Sequence, residues 1–493
     1  MKKVPSPVTP VIAVDRKGAK PLHKQIYDAY RSLILRGNLG AGQQIPSSRA
    51  LAIELEISRI PVLTAYAQLL AEGYFEARVG AGTFVCSSLP EQTVSITRRA
   101  TGSAKVGSGS RLVARRAMLL PRYERLPWLL GSGAFSVGQP AFDQFPFQIW
   151  SSLAMRHCRN PHANELRYGG PLGSEPLREA ICTYLRTARA VHCDPHQVMI
   201  VTGSQQALEL SARVLLDPGS PAWMEEPGYW LTRHVLIAAG SRLIPVPVDE
   251  EGLIVSAGLK LCRKARAAYV APSHQFPLGA TMSASRRLQL LDWAQSSGSW
   301  VIEDDYDSEY RYGSMPIASL QGLDHSSRVI YIGTFSKTLF PSLRLGYVVI
   351  PKDLVDRFTA VRNAMDIGPP HFHQAVLTDF MNDGHFSRHI RRMRLLYSQR
   401  RTALVDGLRK EFGPALDVLG AEAGMHLVVT LPKGFRDMEI AMKAARDKLW
   451  LWPLSPAYLG DKPRQGFILG FGSTPASAMP NAVQRLRNAL GSL

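Results

Sequence analysis

Long hydrophobic runs are missing from this sequence. No stretch approaches eighteen consecutive apolar residues, so no membrane-spanning helix is expected. Paired cysteines are missing too. The five present, Cys86, Cys158, Cys182, Cys193 and Cys262, are odd in number and scattered without a CxxC spacing. That argues against a disulfide framework or a zinc site, and reduced thiols are expected. The opening residues, Met1-Lys2-Lys3-Val4-Pro5-Ser6-Pro7, hold no apolar core of signal-peptide length, so a cytoplasmic protein is expected. Negative charge is in short supply: 40 Asp and Glu stand against 58 Lys and Arg, a net charge of +18. What is present is ordinary for a folded protein, with 45% hydrophobic and 20% charged residues in a chain of 493. That length accommodates two or more domains and a large core.

The positive excess is uneven. Residues 1–130 carry 19 Lys and Arg against 8 Asp and Glu, and the remaining 363 carry 39 against 32. A polyanionic partner is therefore favoured for the front end. Residues 1–20 show no periodicity and are expected as an N-terminal arm. Leu22, Ile26, Tyr30, Leu33 and Ile34 fall at helical spacing, predicting a helix over 21–36 that ends at the glycines of 37–42. Ser47 is the expected N-cap of a short second helix, and Ser58 opens a third with Pro61 in its first turn. Residues 74–78 and 82–85 read as two strands about a glycine-rich tip. Three helices and a hairpin make a winged helix-turn-helix over 21–86. Residues 87–130, rich in Ser, Thr, Gly and Arg, read as a flexible basic linker.

From residue 131 to 493 strand and helix patterns alternate. Short apolar strands are expected at 198–202, 221–225, 267–270, 300–303 and 329–333, giving an α/β fold with a largely parallel sheet. In such sheets ligands sit at the carboxyl ends of the strands. The polar motifs lie there. After the last of these strands comes Gly333-Thr334-Phe335-Ser336-Lys337-Thr338, with Arg344 seven residues beyond the lysine. A lysine amine can attack an aldehyde while neighbouring hydroxyls and a guanidinium hold a phosphate dianion. Trp300-Val301-Ile302-Glu303-Asp304-Asp305-Tyr306-Asp307 is a strand running into acid, and Asp304 precedes Lys337 by 33 residues. A pyridoxal 5'-phosphate site needs such a lysine and a carboxylate for the pyridinium nitrogen. Thr202-Gly203-Ser204-Gln205 leaves a strand and opens a helix, offering N–H groups to a phosphate. The histidines show no Cys or carboxylate at metal-ligand spacing, and no metal site is expected.

The lysine and acidic stretches resemble the fold-type I aminotransferases. Together with the front end they resemble the MocR/GabR-type group of GntR bacterial regulators, over nearly the whole chain outside arm and linker. The resemblance implies a GntR-type winged helix-turn-helix followed by a PLP-dependent transferase fold with a small C-terminal subdomain. It implies DNA contacts from Ser48, Arg49, Ser58, Arg59, Arg78 and Gly80. It implies that Lys337 binds the cofactor covalently. Ser204, Gln205, Thr334, Ser336 and Arg344 would hold the phosphate, Tyr229 would stack on the ring, Asp304 would meet its nitrogen, and Tyr306 and His274 would approach its phenolic oxygen. It further implies a homodimer, with the DNA-binding domain of one subunit lying on the large domain of the other, working at the bacterial nucleoid when bound to an operator.

Three departures stand out. Ile60-Pro61 replaces a hydroxyl residue followed by an apolar one, Leu278 replaces a small hydroxyl residue, and Ile468 stands where amino-acid aminotransferases place a carboxylate-clamping arginine. Arg233, four residues past Tyr229, is the alternative anion clamp. Two functions stay open: a regulator that senses an amine, an amino acid or PLP itself, and a working aminotransferase with an accessory DNA domain. A large domain serving only for dimerisation is the third reading.

Overall fold

A computed structural model describes residues 12–87, 113–122, 124–161, 166–312 and 317–491. The chain divides into two compact units, one before and one after residue 111.

The first unit holds α1 (Leu22–Leu35), β1 (Gln44–Ile45), α2 (Ser48–Glu54), α3 (Arg59–Ala71), β2 (Phe75–Arg78) and β3 (Gly82–Val85). Its three strands form an antiparallel sheet in the order β1-β3-β2. Ser47 caps α2 as expected, its hydroxyl accepting from the Ala50 N–H at 3.1 Å. The core is aromatic at its centre. Tyr30, Tyr66 and Phe75 meet edge to face with centroids 5.3–5.7 Å apart, and the Tyr66 hydroxyl donates to the Pro46 carbonyl at 2.9 Å. Ile12 is buried in this core, so packing already begins inside the stretch expected as an arm. β1 was not anticipated: two residues are too few for periodicity, and pairing with β3 alone defines it.

The second unit is built on an eight-stranded sheet: β4 (Val198–Val201), β5 (Pro221–Glu226), β6 (Arg242–Asp249), β7 (Gly252–Leu253), β8 (Ala267–Val270), β9 (Trp300–Asp305), β10 (Val329–Thr334) and β11 (Gly346–Val349). The order is β4-β11-β10-β9-β8-β5-β6-β7. β6, β5, β8, β9 and β10 run parallel, while β11 is antiparallel to β10 and β4. β4, β8, β9, β10 and β11 are buried along their whole length, as expected where helices cover both faces. A second sheet, β12 (Asp417–Leu419), β13 (His426–Thr430), β14 (Trp452–Pro453) and β15 (Gly466–Gly470), is antiparallel in the order β12-β13-β15-β14. It shares a core with the long helix His385–Phe412 and the helix Met479–Leu490. Trp128 is buried in that core and Leu126 and Leu129 pack on it. The stretch expected as flexible linker over 87–130 is therefore part of the folded unit at its C-terminal end. Within that expectation residues 88–112 and 123 lie outside the described residues, and Arg115–Met118 form a short helix.

Candidate functional site

A cavity of about 230 Å³ opens where the carboxyl ends of β4, β5, β9 and β10 converge. Ser204, Gln205, Tyr229, Asp304, Tyr306, Thr334, Ser336, Lys337 and Arg344 line it. These are nine of the ten residues expected to hold the cofactor. The strand alternation explains the selection from the acidic run. Asp304 faces the cavity, while Glu303 accepts the N–H groups of Leu320 and Gln321, and Asp305 pairs with buried Arg189 at 2.8 Å and accepts from the Tyr331 hydroxyl at 2.6 Å.

Lys337 is half-buried at the cavity wall. Burial pulls its amine below the ordinary lysine value, and Asp307 and Asp304 partly offset that. Its Nζ donates to the Gly138 carbonyl at 3.0 Å. Gly138 has φ +71°, and a Cβ there would lie 2.4 Å from Nζ. Asp304 is pushed up to about 6, by burial above all, against the hydrogen bond that its Oδ2 accepts from the Tyr269 hydroxyl at 2.6 Å. Its Oδ1 is buried and has no hydrogen-bond partner among the described residues. A carboxylate with one oxygen tied down and the other waiting for a donor fits a protonated ring nitrogen.

The opposite end of the cavity wall offers the chemistry of an anion cradle. Gly203, at φ +121°, precedes the helix Ser204–Leu215, and a Cβ there would lie 3.1 Å from the Arg344 guanidinium. The glycine thus lets arginine and helix N-terminus approach each other. The Thr334 hydroxyl donates to Ser336 Oγ at 3.1 Å and accepts the Ser336 N–H at 3.2 Å, fixing that turn. The Gln205 amide donates to the Leu231 carbonyl at 3.2 Å. Tyr229 presents its ring edge-on to Phe276, with centroids 5.2 Å apart. The residues present fit pyridoxal 5'-phosphate in amine, carboxylate, phosphate donors and ring-sized space.

Two of the expected site residues lie off the cavity wall. His274 does not line the cavity. Its Nδ1 lies 3.1 Å from both oxygens of Asp307, and the Tyr306 hydroxyl donates to the His274 carbonyl at 2.7 Å. The imidazole is thereby drawn behind Tyr306, while Tyr306 and Asp307 reach the cavity. Arg233 is not a lining residue either: its Nη2 donates to the Ala457 carbonyl at 3.1 Å and burial lowers its pKa. Ile468 lies fully buried in β15 with Val428 and Leu454. The fold also gathers His274, Asp307 and His426, whose ligand-type atoms lie within 4.8 Å of one another. Asp307 additionally accepts the Met425 N–H at 3.2 Å, and a Cβ on Gly424 would lie 2.1 Å from His274 Nδ1. The trio is already hydrogen-bonded and covered on that side, and no metal is assigned to it.

Sequence reasoning missed Gly138, Tyr269, Asp307, Met425, His426 and Trp452. Only Asp307 carried a local signal, as the last acid of the run after β9.

In the first unit Arg49, Ser58 and Arg59 are exposed. The Arg59 Nε donates to the Ser48 hydroxyl at 3.0 Å, tying the start of α3 to α2. Ile60, beside Arg59, is 72% exposed. Gly80 sits at the exposed tip of the hairpin. Arg78 is exposed but engaged, its Nε donating to Glu76 at 3.0 Å and its guanidinium lying 4.5 Å from the Phe84 ring centre.

Known proteins agree with both halves. The bacterial regulatory proteins of the gntR family match residues 22–85, and aminotransferase class I and II matches residues 134–464. The chain is 40% identical over 480 residues to the probable rhizopine catabolism regulatory protein MocR of Rhizobium meliloti, covering 97% of this chain and 96% of that one. It is 32% identical to the HTH-type transcriptional regulator TauR of Rhodobacter capsulatus, covering 93% and 94%. Among solved structures, the kynurenine aminotransferase of Pyrococcus horikoshii superposes with a TM-score of 0.71 at 28% identity, over 78% of this chain and 98% of that one. A gntR-type winged helix followed by a fold-type I aminotransferase fold defines a two-part class of bacterial regulator. The chain belongs to its MocR-type group within the GntR family.

Proposed function

We propose that the chain is a transcription regulator that binds operator DNA through residues 21–86 and senses a small amine, amino acid or PLP through its larger unit. The observation that carries this reading is one cavity lined by Lys337, Asp304, Ser204 and Arg344 in a chain that also carries a gntR-type domain. Pyridoxal phosphate, when bound, supplies an aldehyde reactive toward amines and a ring that accepts electrons. Lys337 is the residue that would hold the aldehyde. Its lowered basicity leaves more of the amine unprotonated and nucleophilic. Asp304 would hold a protonated ring nitrogen, Tyr229 would lie against the ring, and Tyr306, fixed by its bond to the His274 carbonyl, would lie near its phenolic oxygen. Ser204, Gln205, Thr334, Ser336 and Arg344 hold the phosphate. Ser48, Arg49, Ser58 and Arg59 meet DNA, with Arg78 and Gly80 at the wing. The protein acts as a homodimer in the bacterial cytoplasm. An effector regulates only if it binds two arrangements of the protein with different affinity.

The retained set of Lys337, Asp304 and Tyr306 favours a second reading, a working aminotransferase; Ile468 in place of a clamping arginine speaks against it. The test uses full-length protein and a duplex that it enriches from a random-sequence pool. The regulator reading expects duplex affinity to change when an amine is added to the cofactor-loaded protein, and no change in Lys337→Ala. Sustained transamination with an oxo-acid acceptor and an unresponsive duplex would favour the enzyme.

A further inference from the structure

We propose that the cavity selects a primary amine whose body carries no second charge, in preference to an amino acid; this rests on reading the cavity as a pyridoxal phosphate site. Two cations line it among the described residues, Lys337 and Arg344. In that reading the lysine takes the aldehyde and the arginine meets the phosphate, so neither is left for a carboxylate on the effector. Two carboxylates line it as well. Asp304 is matched to the ring nitrogen, and Asp307 stays within the wall, adding negative potential.

The side chains left to receive the effector's body are largely apolar: Val137, Phe276, Met425 and Trp452. Behind them Ile468 pairs across the sheet with Val428 and Trp452 and is wholly buried. The polar exception is His426. Burial, with His274 beside it, holds its pKa down to about 3, so the ring is neutral at physiological pH. Its Nε2 donates to the Pro277 carbonyl at 3.1 Å, which leaves Nδ1 as an acceptor. An acceptor suits a hydroxyl or N–H and repels a carboxylate. Arg233 is turned to the Ala457 carbonyl instead. A carboxylate placed against this wall loses its hydration and gains no counter-ion, a penalty that an amine with an apolar or hydroxylated body does not meet.

Full-length protein loaded with pyridoxal phosphate tests this with matched pairs: phenethylamine against phenylalanine, and butylamine against 4-aminobutyrate. The readouts are the shift of the visible absorption band and the heat of binding, each referred to the same amine reacting with free pyridoxal phosphate. The carboxylate-free member of each pair is expected to bind at least about tenfold tighter. Trp452→Arg, at a half-buried edge strand, adds a guanidinium to the wall and is expected to narrow or reverse that preference by about tenfold. Equal or tighter binding of the carboxylated members to the wild type overturns the inference and leaves the cofactor reading standing. A preference unchanged in folded, cofactor-loaded Trp452→Arg overturns the role given to this wall. A wild-type protein that takes up no pyridoxal phosphate overturns both the inference and the reading beneath it.

Discussion

Replacing Gly138 by alanine probes the lysine from the far side of the cavity. The glycine lies 199 residues before Lys337, yet its carbonyl is the acceptor for Nζ at 3.0 Å. Two costs follow from the geometry. An alanine held at φ +71° costs about 1–2 kcal/mol, because Cβ crowds the following carbonyl in the left-handed region. The added methyl would also sit 2.4 Å from Nζ. The lysine end is flexible, so it moves aside rather than the backbone, and its hydrogen bond to residue 138 is lost, roughly a further 1 kcal/mol. The backbone strain is carried with and without cofactor and lowers folding stability by about 1–2 kcal/mol, whereas returning the displaced amine to react costs roughly 1 kcal/mol, a loss of about fivefold in cofactor affinity. Titration of the purified variant with pyridoxal phosphate, followed by visible absorption, measures it. Wild-type affinity together with wild-type thermal stability would refute the reasoning.

Asp304→Asn separates stability from binding. The folded pKa of Asp304, about 6, lies above its ordinary 3.8, so the burial penalty is absent below that lower value, grows between 3.8 and about 6, and is constant above. The cofactor-free Asn variant should therefore gain up to about 3 kcal/mol in denaturant unfolding at neutral pH, converge with wild type near pH 4, and bind pyridoxal phosphate more weakly. Trp128→Ala should destabilise the larger unit by about 3–5 kcal/mol, since the indole is buried in the core that β13 and β15 share; an unchanged unfolding midpoint would return this stretch to the linker. Arg59→Ala should lower stability by no more than about 1 kcal/mol, through the lost bond to Ser48, and weaken binding to the enriched duplex, and if the contact is to a phosphate the salt slope should fall by about one.

Much of the site was legible because the chemistry sits at strand ends. β8 was delimited to the residue, and the turns after β4 and β10 carry Ser204 and Lys337 while the last residues of β9 carry Asp304, all at positions where a parallel sheet brings strand ends together. Residues contributed from other parts of the chain were not legible. His426, Met425 and Trp452 come from the small antiparallel sheet, and nothing near Lys337 in sequence points to them. Tyr269 sits mid-strand among apolar neighbours and reads as core until Asp304 is seen to accept its hydrogen bond. His274 was placed correctly in a loop and wrongly in direction, because Asp307, 33 residues on, decides which way the imidazole turns. The end of the linker was misread because Pro127 and Trp128 stand in a basic, irregular context, and only the tertiary core marks the tryptophan as structural.

The central claim is that the larger unit carries pyridoxal phosphate on Lys337. The most direct measurement is the visible absorption spectrum of the purified full-length protein after incubation with pyridoxal phosphate and removal of the excess, with Lys337→Ala treated identically. A band retained by the wild type and lost in the variant is the result expected. A spectrum without such a band in the wild type, or one retained unchanged in Lys337→Ala, would contradict it.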